Sequence, residues 1–347
     1  MKLNDKMYTV ESVLKGHPDK ICDQISDGLL DLYLEKDINS HTAIECLGNS
    51  KGLVVAGEID SKAFIEIEKN CQFLYNKITG LSSIKVINLV SQQASQLKKA
   101  IERNVAGDQG IMYGYACDTP SCNYLPLGYW IANLISKRLD NYRENSNLFL
   151  SDGKVQVTVN KNEIIKITIN VQHFSNTNME LLKEKIMENV LYDIKSKKII
   201  INDDEDFIKG GFDNDTGLTG RKIMVDTYGG IVPHGGGAFS GKDPSKLDRS
   251  ASYMCRFVAK NIVANGYAKE CCISVAYEFG KEEPIMLNVE VDNSNSADIL
   301  EMIKKYFDFR PKAIIECLNL KSIKYLPTAT YGHFTSFDYP WEKIIKL

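Results

Sequence analysis

The sequence predicts an α+β fold of three similar units, because one order of elements occurs three times along its 347 residues. Each unit has a helix, two strand-like runs joined by a short turn, and a second helix. The first helices are predicted to begin near residues 18, 126 and 244, and the second helices near 61, 177 and 296. Short turns between paired strands indicate hairpins, so we expect antiparallel or mixed sheets covered by helices.

The elements of each unit follow from apolar periodicity and turn residues. In the first unit a helix is predicted from Pro18, strands at 42–47 and 53–58, and a helix from about Ser61. The second unit has predicted helices from Pro126 and over 176–194, with strands at 154–160, 163–172 and 198–202. The third has predicted helices from Pro244 and over 296–307, with strands at 272–279 and 284–291. We expect units at 1–98, 104–209 and 210–347, with strands exchanged across these boundaries.

Composition limits the class of protein. A net charge of −3 gives no reason to expect nucleic acid or an anionic membrane as partner. Nine cysteines without a Cys-x-x-Cys pair argue against a disulfide framework or a zinc site, and they favour a reducing compartment. With no signal-peptide pattern and no apolar run of ~18 residues, we expect a cytoplasmic protein.

The most distinctive stretch is 234–248, which contains four glycines, two lysines and two aspartates. Glycine lets backbone N–H groups approach an anion closely, and the N-terminus of a following helix adds positive charge. Lysines add full charges, and carboxylates can hold a metal. This combination is what a polyphosphate with bound Mg²⁺ requires.

The same stretch almost matches a P-loop. Gly236, Gly241 and Lys242 have the P-loop spacing, but Asp243 stands where Ser or Thr would hold Mg²⁺. We interpret Asp243 as the N-cap of a helix whose first residue is Pro244. The loop also comes late in the chain and does not follow a buried strand of a βαβ unit, so we predict a phosphate loop other than a Walker A motif.

Two further segments suggest anion binding. Arg221 and Lys222 follow two glycines and precede 223–226, a strand-like run, although alone they could be a solvated charge pair. His17 and Asp19 lie at the start of the first helix, where a metal-bound anion would be stabilised. The alternative is structural, with Asp19 only complementing the helix dipole.

Together the motifs carry a resemblance to a known family. They are GHPDK at 16–20, GDQG at 107–110, GLTGRK at 217–222, VDTYGG at 225–230, HGGGAFSGKD at 234–243, FDFRP at 307–311 and YGHF at 331–334. In order and spacing they resemble methionine adenosyltransferase, the S-adenosylmethionine synthetase family, in its bacterial and eukaryotic form. The resemblance covers essentially the whole chain.

The resemblance implies three α+β units around a pseudo-threefold axis. It implies homodimers with active sites at the subunit interface, paired into homotetramers, and a requirement for K⁺ and for two Mg²⁺ per site. The implied reaction transfers the adenosyl group of ATP to the sulfur of L-methionine and then hydrolyses tripolyphosphate to phosphate and diphosphate. Sulfur carries no proton to remove, so catalysis depends on alignment and on stabilising the leaving group.

Residue roles follow from the same resemblance. Catalytic roles are implied for His17, Lys154, Arg221, Lys242 and Lys246. ATP contacts are implied for His17, Asp108, Asp152, Lys154, Phe207, Asp215, Arg221, Lys222, Ala238 and Lys242. Methionine contacts are implied for Glu58, Gln93, Asp215 and Lys246. The implied metal ligands are Asp19 and Asp248 for Mg²⁺ and Glu45 for K⁺.

The sequence departs from the family's pattern at two places, and two alternative functions remain. The segment Gln93–Asn104 is shorter than the family's active-site loop, and Asp206 stands before Phe207 where relatives often have Arg. A P-loop-like kinase or ATPase would explain the glycine-rich segment 236–242 but none of the other motifs. A non-catalytic nucleotide-binding regulatory subunit would keep the motifs without turnover.

Overall fold

The computed structural model describes residues 6–94, 104–203 and 206–347, and it consists of helices packed on three sheets. The first third contains β1 (Met7–Val13), α1 (Pro18–Lys36), β2 (His41–Asn49), β3 (Gly52–Asp60), α2 (Ile67–Thr79) and β4 (Val86–Gln92). The middle contains β5 (Gly110–Cys117), α3 (Leu127–Arg143), β6 (Phe149–Asn160), β7 (Glu163–His173), α4 (Met179–Asn189) and β8 (Lys198–Ile201). The last third contains β9 (Gly217–Leu218), α5 (Ile223–Thr227), α6 (Leu247–Ala264), β10 (Glu270–Tyr277), β11 (Met286–Val291), α7 (Ser296–Tyr306) and α8 (Pro311–Cys317).

Each sheet combines strands from distant parts of the chain. The strand orders are β4-β3-β2-β9, β1-β6-β7-β8 and β11-β10-β5. The hairpins β2–β3, β6–β7 and β10–β11 are antiparallel, whereas β3–β4 and β7–β8 are parallel. The predicted α+β class with antiparallel and mixed sheets in repeated units is confirmed. The predicted boundaries between units stay a prediction.

Helix α1 begins where the sequence predicts. Pro18 occupies its first turn and His17 is its N-cap, which suits a residue without a backbone N–H. Ile21, Ile25 and Leu29 are fully buried against the first sheet, where Ile44 and Val55 belong to the same core cluster. This packing places the N-terminus of α1 beside β9 and beside the start of β6, where the N–H of Gly16 donates to the carbonyl of Ser151.

Three predicted elements differ from the structure. The helix predicted from about Ser61 begins at Ile67. The run 223–226, predicted as a strand, forms the short helix α5, because three consecutive apolar residues do not distinguish the two structures. The helix predicted from Pro244 begins at Leu247 with Lys246 as N-cap. Asp243, predicted as the N-cap, is instead buried, and its carboxylate accepts the backbone N–H of Thr42 at 2.8 Å. This contact holds the glycine-rich loop against β2.

Candidate active site

The N-terminus of α1 brings together residues that are far apart in sequence. The Nδ1 atom of His17 accepts the backbone N–H of Asp19 at 3.2 Å. A neutral imidazole with Nδ1 as acceptor carries its proton on Nε2. The backbone N–H of Gly16 donates to the carbonyl of Ser151 at 3.0 Å, which sets Asp152 and Lys154 beside this helix end.

Asp19 is the acceptor for two cationic side chains. Its Oδ2 lies 2.6 Å from Lys222 Nζ, and its Oδ1 lies 3.4 Å from Arg221 Nε and accepts the N–H of Leu218 at 3.0 Å. Burial disfavours the carboxylate, but Lys222 and the Leu218 N–H hold the pKa of Asp19 below its usual value. Asp19 is therefore ionised and organises the cations around it.

His17 is neutral in this environment. Burial, together with the positive charges of Lys222 and Lys154, lowers the pKa of His17 to about 3, although Asp19 acts in the opposite direction. At physiological pH the ring is a hydrogen-bond donor through Nε2 and carries no charge. It can polarise an oxygen atom without losing a proton.

Asp152 is buried and holds the next segment in place. Its Oδ2 accepts the N–H of Gly211 at 2.8 Å. Burial raises the pKa of Asp152 to about 6, against the hydrogen bonds from Gly211 and Gly153, and the charge of Asp215 adds to the rise. Phe207 lies on the same segment, and its carbonyl accepts the N–H of His173 at 2.9 Å. We call the joined set the histidine cluster: His17, Asp19, Asp152, Lys154, Asp215, Arg221 and Lys222.

A second set forms on the glycine-rich loop. Lys242 Nζ lies 2.6 Å from Asp248 Oδ2, and Lys246 Nζ lies 2.5 Å from Asp243 Oδ2. Burial opposes the charge of Asp243, but Lys246 and His41 hold the pKa of Asp243 far below its usual value. We call the following set the glycine-loop cluster: Ala238, Lys242, Asp243, Lys246 and Asp248.

The two clusters touch through their loops but not through their charges. Gly220 has φ +86°, and a Cβ added there would lie 2.5 Å from the Cβ of Ala238. Across 6–94, 104–203 and 206–347, no hydrogen bond or ion pair joins one cluster to the other. Asp19 and Asp248, for which the resemblance implies magnesium binding, therefore belong to different clusters.

The remaining predicted residues lie outside both clusters. Glu45 and Glu58 are exposed on the outward face of the β4-β3-β2-β9 sheet. Asp108 is exposed and accepts the N–H of Gln109 at 2.7 Å. It lies two residues before Gly110, where an added Cβ would be 3.9 Å from Asp248 Oδ1. The loop of Asp108 thus adjoins the glycine-loop cluster.

Gln93 is unusual among the predicted residues. Its side chain is buried, with 7% of the residue exposed, yet neither Nε2 nor Oε1 has a hydrogen-bond partner within the described part of the chain. Buried amides are normally paired, so an orphaned one indicates a missing partner. Residues 95–103, which form most of the shortened segment Gln93–Asn104, lie outside the described residues.

The carboxylates fit Mg²⁺ that is shared with a phosphate. Nowhere in the described chain do three or more His, Cys, Asp or Glu residues form a group that could hold a metal by themselves. Mg²⁺ commonly uses one or two carboxylates plus phosphate oxygens and water. Asp248 has one oxygen on Lys242 and directs the other toward Gly237. Both oxygens of Asp19 are engaged by the protein, so a metal that binds Asp19 would share this carboxylate with Lys222 and the N–H of Leu218.

Sequence reasoning missed two residues that shape the site. Asp23 is buried and accepts the N–H of Gly220 at 2.8 Å, and its position one helical turn after Asp19 was the available signal. His41, the first residue of β2, lies with its Nδ1 3.3 Å from Asp243 Oδ1. The two residues are far apart in sequence, so nothing in the local sequence indicates this contact.

The fold and the site define an α+β protein with lysines, an arginine and carboxylates clustered at a helix N-terminus and a glycine-rich loop. Family models for the S-adenosylmethionine synthetase N-terminal, central and C-terminal domains match residues 5–103, 103–209 and 209–343. The chain belongs to the S-adenosylmethionine synthetase family.

Similar proteins span the whole chain. A protein named S-adenosylmethionine synthase from Petrotoga mobilis is 40% identical over 98% of this chain and 97% of its own length. Those from Staphylococcus epidermidis and Clostridium tetani are 37% and 40% identical, over 100% and 99% of this chain and 98% of each relative. The Petrotoga alignment has 392 positions, more than the 347 residues here, so that relative contains insertions.

These findings confirm the predicted family and the assignment as a methionine adenosyltransferase. Nothing in them favours a P-loop-like kinase, an ATPase or a regulatory subunit. Within the described residues, none of the helices has the length and apolar character needed to cross a membrane.

Proposed function

We propose that this protein transfers the adenosyl group of ATP to the sulfur of L-methionine and then hydrolyses the tripolyphosphate to phosphate and diphosphate. The observation that carries the proposal is the convergence of Arg221 and Lys222 on Asp19 beside a neutral His17. The sulfur needs no general base, whereas the leaving group carries several negative charges. A site rich in fixed cations and donors suits this chemistry better than one built for proton removal.

His17 is proposed to donate through Nε2 to the oxygen that departs from C5′ of ATP. The contact between its Nδ1 and the Asp19 N–H fixes the ring and its tautomer. The N-terminus of α1 adds the equivalent of about half a positive charge in the same region. These groups are set before the reaction, so little reorganisation is needed as charge develops.

The remaining cations are proposed to bind the polyphosphate. Lys154, Arg221 and Lys222 serve from the histidine cluster, and Lys242 and Lys246 serve from the glycine-loop cluster. Lys242 and Asp248 are partly exposed, with 21% and 27% of their side chains accessible, so a phosphate can compete for the lysine. The proposed adenosine contacts are Asp108, Asp152, Phe207, Asp215 and Ala238.

Methionine is proposed to bind near Gln93, Glu58, Asp215 and Lys246. The support is the buried amide of Gln93, which lacks a partner within the described residues and could recognise a polar group of the amino acid. Asp215 and Lys246 would complement the ammonium and carboxylate of methionine.

Metal ions are proposed to complete the site. Asp19 and Asp248 would each supply one carboxylate to one of two Mg²⁺, and bound Mg²⁺ would neutralise phosphate charge during departure. Glu45 would contribute to a K⁺ site. Because Glu45 is a single exposed carboxylate on a sheet face, K⁺ would need oxygen ligands from additional groups.

We further propose a homodimer with active sites at the subunit interface, and its pairing into a homotetramer. Within the described residues the histidine and glycine-loop clusters touch only through their loops and share no hydrogen bond or ion pair. This supports the proposal, because each active site could take its charged groups from one cluster of each subunit. The outward face of the β4-β3-β2-β9 sheet adds support, since Leu89 is 62% exposed and Leu47 45% exposed there. We propose a cytoplasmic location, because the nine cysteines form no disulfide.

The test is incubation of the purified protein with ATP, L-methionine, Mg²⁺ and K⁺. We expect a sulfonium product together with phosphate and diphosphate, and no ATP consumption when methionine is omitted. Methionine-independent release of ADP would refute the proposal in favour of a kinase or ATPase. No turnover in the complete mixture would favour a regulatory subunit.

The interfacial site has its own test. His17→Ala and Lys242→Ala subunits, each expected to be inactive, are mixed under conditions that exchange subunits. A hybrid dimer would contain one intact site, so activity should reappear and approach half the wild-type value per hybrid dimer. If mass measurement shows that hybrid dimers have formed but activity does not return, an active site at the subunit interface is contradicted.

A further inference from the structure

Helix α1 carries four aspartates at four-residue intervals, which we call the aspartate row: Asp19, Asp23, Asp27 and Asp31. Four residues advance a helix by about 6 Å and a little more than one turn, so these side chains share one face. All four residues are buried. Buried carboxylates need hydrogen-bond donors, and the source of those donors identifies what the row does.

Three members of the row accept backbone N–H groups from the two anion-binding loops. Asp19 and Asp23 accept from Leu218 and Gly220, at 3.0 and 2.8 Å. Asp27 accepts from Gly241 at 2.8 Å. The first loop carries Arg221 and Lys222, and the second carries Lys242. One helix face therefore holds the main chain of both loops in a common register.

The contact from Asp23 is the most informative. Gly220 lacks a side chain and adjoins Ala238, so only its backbone can be anchored. The other oxygen of Asp23 lies 2.9 Å from the buried Lys20 Nζ, which also bonds Asp226 near the end of α5. Asp23 thus links the loop that precedes Arg221 to the helix that follows Lys222.

We propose that Asp23 is a positioning residue that sets the phosphate-binding geometry of Arg221 and Lys222 through the Gly220 backbone. The inference rests on the proposed function, because it assigns those cations to the polyphosphate. Asp23 itself touches no reacting group. Its removal should let the loop shift, and a misplacement of about 1 Å can cost on the order of 10²-fold in rate.

Asp31 provides the matched control. It occupies the same row and accepts two backbone N–H groups, from Tyr325 at 2.6 Å and Leu326 at 2.9 Å. Those donors belong to neither anion-binding loop. Asp31→Ala should therefore reproduce the structural cost of losing a buried acceptor without moving the phosphate site.

The experiment compares Asp23→Ala, Asp23→Asn and Asp31→Ala with the wild type. The readouts are kcat, KM for ATP, inhibition by added tripolyphosphate and melting temperature. We expect Asp23→Ala to lower kcat/KM for ATP about 10- to 100-fold and to weaken tripolyphosphate inhibition. Asp23→Asn keeps an acceptor oxygen and should recover part of the loss. Asp31→Ala should have a lower melting temperature than the wild type but the same kcat and KM for ATP.

The inference fails if Asp23→Ala melts earlier but keeps the wild-type KM for ATP and tripolyphosphate inhibition. If Asp23→Ala does not fold, Asp23→Leu, which removes the acceptor but leaves less empty volume, decides: unchanged kinetics in that variant overturn the inference. If the wild-type protein makes no S-adenosylmethionine, the proposed function has failed instead. Calorimetric binding of tripolyphosphate to the same variants then still tests the role of Asp23.

Discussion

Replacing His17 separates its two roles, as a helix cap and as a hydrogen-bond donor. Asn at an N-cap accepts the same backbone N–H that Nδ1 accepts now, but it has no equivalent of Nε2. His17→Asn should therefore keep the fold and lose the donor. His17→Ala should lose both.

The magnitudes follow from these contacts. Loss of a preorganised donor in the transition state costs roughly 10²–10³-fold in kcat, and we expect this loss in both variants. Loss of the cap costs about 1 kcal/mol. With an unfolding entropy of about 2 cal/mol/K per residue, a chain of this length should melt roughly 1–2 °C lower. Only His17→Ala should show that shift.

The assay is S-adenosylmethionine formation at saturating ATP, methionine, Mg²⁺ and K⁺, with thermal melts of the same samples. Wild-type turnover by His17→Asn would refute the donor role.

The pH dependence of the free energy of unfolding is a second, independent measurement. Unfolded His17 has a pKa of about 6.5, and the folded value is about 3. Between these two pKa values the unfolded state binds more protons than the folded state. His17 therefore lowers the free energy of unfolding as pH drops below about 6.5. His17→Asn should remove this contribution to the pH dependence of stability.

Three further predictions concern the rest of the site. Lys242→Ala should lower kcat roughly 10²–10³-fold without loss of folding. The control Lys69→Ala, at an exposed lysine on α2, should leave activity unchanged. Equal activity of the two variants would contradict the proposed role of Lys242 in binding the polyphosphate. Because the pKa of Asp152 is raised to about 6, KM for ATP should increase as pH falls through that value, and the pH profile of Asp152→Asn should lack this step. A Cβ at Gly237 would lie 2.0 Å from Asp248 Oδ1, so Gly237→Ala should raise the Mg²⁺ concentration needed for half-maximal activity, and an unchanged Mg²⁺ titration would argue against a metal at Asp248.

Local rules predicted the long elements well. Helix α1 begins at the predicted Pro18, since a proline at the first position and apolar residues at helical spacing agree. The helix predicted from Pro244 begins three residues later, because Thr42 and Lys246 hold Asp243. No local pattern records a contact across 201 residues.

The candidate site was predicted as a set of residues but not as an arrangement. The motifs around His17, Arg221 and Lys242 were all visible in sequence. Their division into two clusters depends on how α1 packs between the loops, which is a tertiary property. Asp23 lies one helical turn after Asp19, but that spacing alone does not show that its carboxylate accepts the N–H of Gly220.

The mixed origin of the sheets also affects how the protein can be made. Among the strands that the structure describes, β5 pairs with β10 alone, and the residues of β10 emerge from the ribosome about 160 positions later. At about 5–20 residues per second, that strand stays unpaired for roughly 8–30 s of synthesis. Nascent chains thus expose strand edges that chaperones would need to protect. A stop codon after the central region should yield an insoluble fragment, and supplying the missing part as a separate chain should restore solubility.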